Sequence, residues 1–167
     1  DAWHLAKAKK PGKIPTVAIS FHWTCSVAPE AGSALKHYLG VLGDLAACKK
    51  IHLVGHAHPR RLKEVRMLYR NAGIPLLESF ADVVREADCY VVDNSSTLYE
   101  FASLDRPVVV LNAPWFRRDV EHGLRFWACA DVGLQCDEPE QLLPTILAAL
   151  ADPPEVEARR REVVASV

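Results

Sequence analysis

The 167-residue sequence has no surplus of charge of either sign: 20 Lys and Arg face 21 Asp and Glu, a formal net charge of −1. Nucleic acid is therefore not an expected partner, because nothing supplies a global basic field. No apolar run reaches the roughly 18 residues that a membrane span needs. Cysteine is sparse and oddly numbered. The five residues Cys25, Cys48, Cys89, Cys129 and Cys136 are scattered and form no CxxC pair. That spacing argues against a disulfide framework and against a zinc knuckle, and a reducing, cytoplasmic compartment is the simpler expectation. GxGxxG, a GK[ST] P-loop, GxSxG and HExxH are all missing. A dinucleotide cofactor, P-loop hydrolysis, serine hydrolysis and zinc proteolysis thus lose their usual signatures. Neither a cofactor nor a metal is expected. The first residues lack both an initiator Met and the apolar segment of a signal peptide. Residues 1–14 read as the end of a helix and a Pro/Gly linker, cut from something longer.

What is present is an alternation of short β-rich runs with helical stretches. Strands are expected at Thr16–Phe21, Ile51–Gly55, Ile74–Leu77, Cys89–Val92 and Pro107–Leu111. Several are continuous apolar runs, the pattern of strands buried on both faces. Pro75 places the third near an edge. Helices are expected at Ser33–Ala47, Arg60–Asn71 (with Gly73 as its C-cap), Phe80–Glu86 (capped by Ser79), Ser95–Leu104, Glu140–Ala151 and Pro154–Val167. The Arg159-Arg160-Arg161 run reads as a solvated face. The expected fold is α/β: a Rossmann-like open parallel sheet with helices on both faces. One domain spans residues 15–152, and a C-terminal helix covers 153–167.

In such sheets ligands bind beyond the carboxyl ends of the strands. The residues just after the strands are unusually polar: His22-Trp23-Thr24-Cys25-Ser26, His56-Ala57-His58-Pro59-Arg60, Asp93-Asn94-Ser95-Ser96-Thr97, and Asn112 through Arg117-Arg118. Four polar loops on one edge are stronger evidence than any one residue. Asp93, Asn94, Ser95, Ser96 and Thr97 open a helix, so hydroxyls and free N–H groups gather where an anion is favoured. An ordinary N-cap is the plain alternative. Glu100, one turn on, has the chemistry to accept both hydroxyls of a ribose, although a surface Glu would look the same. His56 and His58 with Arg60 suit charge stabilisation at a pyrophosphate, or protonation of a leaving phosphate. As a metal pair they have no third ligand at convincing spacing. Trp23 is suited to stacking on a base or lining a cleft. His22 lies beside it, and Arg117 is within reach of phosphates.

From Asp93 to Pro107 the sequence reads D-x-S-S-x-x-x-E-x-A-x-x-x-x-P and runs into the strand Val108-Val109-Val110. This resembles the C-terminal domain of the CDP-glycerol glycerophosphotransferases, the teichoic-acid polymerase and primase family. The His58-Pro59-Arg60 turn is similar to that family's H-P turn, while Asn94 stands where the family usually has Tyr. The same frame is more distantly similar to UDP-N-acetylglucosamine 2-epimerase, whose ribose-binding Glu matches Glu100. Both families have the GT-B fold, two Rossmann-like domains with the activated donor held mainly by the C-terminal one. The resemblance implies a transferase whose donor is CDP-glycerol or another nucleotide-activated compound. An acceptor hydroxyl would attack the β-phosphate and CMP would leave. Ser95, Ser96 and Thr97 would hold phosphate, His58, Arg60 and His56 would serve the chemistry, and Glu100 would hold ribose. It also implies a separate N-terminal domain with the acceptor site and the base, and peripheral attachment of the whole protein to the inner membrane face. Two alternatives stand beside it: an enzyme acting on a UDP-sugar, and a nucleotide-binding fragment without catalysis of its own.

Overall fold

The computed structural model describes residues 13–23, 32–116 and 130–166. The expectations placed on residues 1–12, Thr24-Cys25-Ser26, Arg117 and Arg118 fall outside them. Strand β1, Thr16–Phe21, is buried along its whole length, as its unbroken apolar run requires. β2 (His52–Ala57), β3 (Cys89–Val92), β4 (Val108–Leu111) and β5 (Leu134–Cys136) complete a sheet in the order β2-β1-β3-β4-β5. Every pairing is parallel. The third expected strand shrinks to a single parallel bridge from Leu76 to Gly55 on the free edge of β2. Pro75 has no N–H to give, so only its carbonyl and the Leu77 amide reach Gly55.

The helices are α1 (Leu35–Tyr38), α2 (Leu42–Ala47), α3 (Leu62–Asn71), α4 (Phe80–Glu86), α5 (Thr97–Ala102), α6 (Leu142–Leu150) and α7 (Pro154–Ser166). The long helix expected over Ser33–Ala47 is split by a 3-10 turn at Leu39–Val41. Gly40 lies in that turn and Gly43 just after it in α2, and glycine costs about 1 kcal/mol in a helix interior. α3 buries Val65 and Tyr69 and exposes Met67. Its C-terminal Gly73 has φ +73°, the left-handed cap expected of it. Ser79 caps α4 by accepting the Asp82 amide at 3.1 Å. No described helix is long and apolar enough to cross a membrane.

Two apolar clusters cover the sheet, one per face. Val17, Ile19, Leu53 and Val91 face one way, against α1, α3 and α6. Ala18, Val54, Tyr90 and Val110 face the other, with Val83, Leu98 and Val163 of α4, α5 and α7. The Arg159–Arg161 run is not uniformly a solvated face. Arg159 and Arg161 are exposed, but the Arg160 side chain is fully buried. Its guanidinium grips Asp152 through two bonds of 3.0 and 3.1 Å and reaches Asp105 at 3.4 Å. Asp105 and Asp152 are the two non-glycine residues with positive φ among those described, at the ends of α5 and α6. One arginine thus pins α7 to two helix termini, a burial tolerable only because the charge is paired.

Topology decides where the site lies. From β1 the chain moves outward to β2, then returns to place β3 on the other side of β1. The connections leaving β1 and β3 therefore diverge, and a crevice opens at their carboxyl ends.

Candidate functional site

At that crevice lies a cavity of about 300 Å³. Its walls come from the ends of β1 and β2 (Ser20, Phe21, His22, His56, His58, Pro59), from the start of α4 (Glu78, Ser79, Phe80) and from Ser95 and Thr97. Of the residues singled out in the sequence, His22, His56, His58, Ser95 and Thr97 are brought together here. Trp23, Arg60, Asp93, Asn94, Ser96 and Glu100 do not line the cavity.

Period-two alternation explains the polar floor. Ser20 and His56 are register partners on neighbouring strands and project to the same face. The Ser20 hydroxyl meets His56 Nδ1 at 3.1 Å in buried surroundings. Burial, with His58 adding a smaller push, lowers His56 to about 4, so its imidazole is neutral at ordinary pH. On the same face the Tyr90 hydroxyl meets Thr97 Oγ1 at 3.1 Å. Thr97 Oγ1 in turn meets Ser95 Oγ at 2.9 Å. The Tyr90 ring is fixed by Phe80 and Phe101, at centroid distances of 5.8 and 5.2 Å.

His22 is held by its backbone. Its N–H donates to Asp93 Oδ1 at 2.6 Å, and its carbonyl accepts from Arg61 at 3.2 Å. Its Nδ1 is buried and has no partner among the described residues, and burial holds the imidazole below its ordinary pKa. His58 caps the turn Pro59–Arg61 by accepting the Arg60 amide at Nδ1, 3.2 Å away.

Several expectations are corrected. Asp93 belongs to the frame, not to a phosphate pocket: it is fully buried, and its two oxygens accept the amides of His22 and Ala34 at 2.6 and 2.7 Å. Burial raises it to about 7, with those amides pulling the other way. α5 begins at Thr97, not Ser95, and Ser96 sits at its N-cap without a side-chain capping bond. Because α5 has only six residues, its dipole is short, and the hydroxyls rather than the helix terminus define this wall. Arg60 stacks over Trp23 at 5.4 Å, outside the cavity, and Trp23 also lies 5.5 Å from the His22 ring. The inward-turned cation is its neighbour Arg61, whose side chain is 12% exposed. Ser96 and Glu100 are exposed, and Asn94 is half-buried. The β4 loop turns away: buried Asn112 donates to Gln135 and Asp137, and Trp115 packs against His37. Three of the four polar loops converge on the cavity.

Sequence reasoning missed Glu78, Ser79, Phe80, Tyr90 and Arg61. The first three lie at the start of a helix that looked purely structural, and Tyr90 sat inside a strand that looked purely apolar. The Arg61–Glu64 spacing, a bidentate pair at 3.0 and 2.6 Å, was the available sign that Arg61 is anchored.

No family model matches this chain, and no curated protein does either. Solved structures do match. The chain superposes with TM-score 0.51 and 15% identity on the catalytic domain of cholesterol-α-glucosyltransferase from Helicobacter pylori, over 90% of this chain and 96% of that one. It superposes with TM-score 0.55 and 15% identity on E. coli heptosyltransferase WaaC with ADP, over 84% of this chain and 46% of that one. For a chain of the GtfA/B complex the values are 0.51 and 12%, over 95% and 34%. The chain thus spans about half the length of the heptosyltransferase and a third of the GtfA/B chain. The fold is a Rossmann-like α/β half of the GT-B type.

Proposed function

We propose that this chain is the donor-binding half of a GT-B-type transferase and that its switch-point cavity takes the diphosphate region of a nucleotide-activated donor. The observation that carries the reading is the convergence of three strand-end loops on one small cavity lined by the Ser95 and Thr97 hydroxyls and the His22, His56 and His58 imidazoles. Hydroxyls and imidazole N–H groups are donors suited to phosphate oxygens, and their fixed positions leave little to reorganise on binding. Among the solved neighbours, the names are those of sugar transferases and one holds ADP, which favours a nucleotide sugar as donor. Trp23 under Arg60 and the exposed Glu100 lie outside the cavity, and in this reading they are the candidates to meet the nucleoside. In this reading the acceptor site and the base belong to a second domain.

CDP-glycerol is the second donor, supported by the run Asp93 to Pro107 with its paired serines and Arg106-Pro107 turn. Calorimetric titration with UDP, ADP and CDP tests the site. At least one should bind, and both Ser95→Ala and His22→Ala should weaken it. If all three fail, or if both variants bind as wild type does, the site is elsewhere. Product analysis separates the donors: CDP-glycerol releases CMP, whereas a UDP-sugar releases UDP.

A further inference from the structure

Among the described residues, no arginine or lysine lines the switch-point cavity. The two guanidiniums that follow the wall residue Pro59 are committed elsewhere. Arg60 lies over Trp23 at 5.4 Å, and Arg61 holds Glu64 through two bonds and the His22 carbonyl at 3.2 Å. The carboxylate in the wall, Glu78, is paired with Arg66 at 2.9 Å. Positive charge in the walls therefore has to come from one of the three imidazoles, His22, His56 or His58.

The three are not equivalent. His58 accepts the Arg60 amide at Nδ1, 3.2 Å away, and a proton there would remove the acceptor that caps the Pro59–Arg61 turn. Its ring is thereby held as a neutral Nε2–H donor. His56 is 6% exposed, its Nδ1 meets the Ser20 hydroxyl, and burial, with His58 beside it, lowers it to about 4. His22 is placed by its backbone, its N–H on Asp93 and its carbonyl on Arg61. Its Nδ1 is buried without a partner among the described residues. Burial is the main cause that lowers its pKa. The Trp23 backbone opposes this, and His58 and Arg61 push the same way as burial. Protonating His22 breaks no bond seen at Nδ1, and the new Nδ1–H needs an acceptor, which a ligand oxygen provides.

We propose that His22 is the cationic partner of the bound anion, taking up one proton from solvent as the anion enters, so that binding at this cavity strengthens as pH falls. The inference rests on the donor-site reading in one respect, that an anionic phosphate occupies this cavity. In the empty cavity burial disfavours the charged ring, which is neutral at pH 7. An anion beside it favours the charged ring and raises its pKa. No bond of the ligand is made or broken, and the only exchange with solvent is the one proton. His58 and the hydroxyls of Ser95 and Thr97 complete the anion's contacts as neutral donors.

The test uses the chain labelled with ¹⁵N-histidine and inorganic sulfate, a dianion throughout the neutral range, as the probe. Imidazole ¹⁵N shifts, assigned with His22→Asn, follow each ring from about pH 8 to about pH 5. The ring's own signal separates His22 from Asp93, which bonds its amide and itself titrates at about 7. With sulfate bound, the His22 titration should move up by about one pH unit, and those of His56 and His58 by less. Sulfate affinity should rise as pH falls, by up to about tenfold, the equivalent of that shift. His22→Asn keeps a neutral donor and should lose most of this pH dependence. Sulfate binding with the His22 titration unmoved, with the largest upward shift on His56 or His58, or with the full pH dependence kept in His22→Asn overturns the inference and leaves the donor site standing. Failure of sulfate to bind where UDP, ADP or CDP binds does the same. Failure of all four overturns both.

Discussion

The two ends of the parallel sheet each carry a concavity, and they are built in opposite ways. At the amino end a cleft of about 850 Å³ is bordered by Lys13, Lys49, His52 and Arg85 over Ile14 and Ile51. Arg85 is spent on Asp82 and Glu86, and no hydrogen bond crosses from one strand's side chain to another's there among the described residues. At the carboxyl end the cavity is about 300 Å³. Its polar side chains are bonded to one another, Ser20 to His56 on one side and Ser95 to Thr97, which Tyr90 also holds, on the other. Size favours the first and preorganisation the second. Long exposed side chains lose rotamer entropy when they grip a ligand, whereas short bonded ones have already lost it on folding. For that reason the smaller space is the one we propose as the site.

Substitutions can break this contrast. The largest effect should come from Asp93, which anchors both flanks of the β1–α1 connection. Asp93→Ala strands two amides and should destabilise the fold by about 2–3 kcal/mol in urea unfolding; a loss below about 0.5 kcal/mol would remove it from the frame. Its titration gives a companion sign. Asp93 is raised from 3.8 unfolded to about 7 folded, so the native state holds the extra proton. Its stabilising contribution is full below pH 3.8 and is lost as pH rises through about 7. This pH-dependent part should vanish in Asp93→Asn.

Next is Gly55→Ala. A Cβ there would stand 2.5 Å from the Tyr69 ring, and Tyr69 ties the Ile19 and His56 carbonyls together beneath the site, at 3.4 and 3.2 Å. Overpacking of about 1–3 kcal/mol is expected, read by thermal and urea melts; wild-type melting would show that Tyr69 moves freely. Ser95→Ala should leave stability nearly unchanged and weaken nucleoside diphosphate binding by about fivefold in calorimetry. The smallest effect should be that of Lys49→Ala at the opposite end, within about 0.5 kcal/mol in stability and without change in nucleotide affinity. A loss of affinity there comparable to that of Ser95→Ala would move the site to the amino end.

Much of the fold was legible. The boundaries of β1 and β3 follow from unbroken apolar runs, and Ser79 and Gly73 mark helix ends by local chemistry that needs no tertiary partner. β5 was not legible, because Leu134-Gln135-Cys136 is short and mixed. It becomes a strand only because β4 lies beside it and Asn112 reaches Gln135. For the site, the spacing of polar loops after strands led to His22, His56, His58, Ser95 and Thr97. It gave no way to tell Arg60 from Arg61, since one residue of rotation on a turn exchanges outside for inside. Nor did it show that Asp93 is consumed by amides from residues 59 and 71 positions away.

Local pattern determined that this chain forms a parallel α/β sheet and that its polar residues gather at the carboxyl ends, because both follow from periodicity and chain direction alone. The tertiary structure decided which of those residues face one cavity, which are absorbed as fasteners, and that Tyr90 holds Thr97. Those outcomes depend on which strands become neighbours, and β1 lies between β2 and β3 only after the chain has crossed over itself.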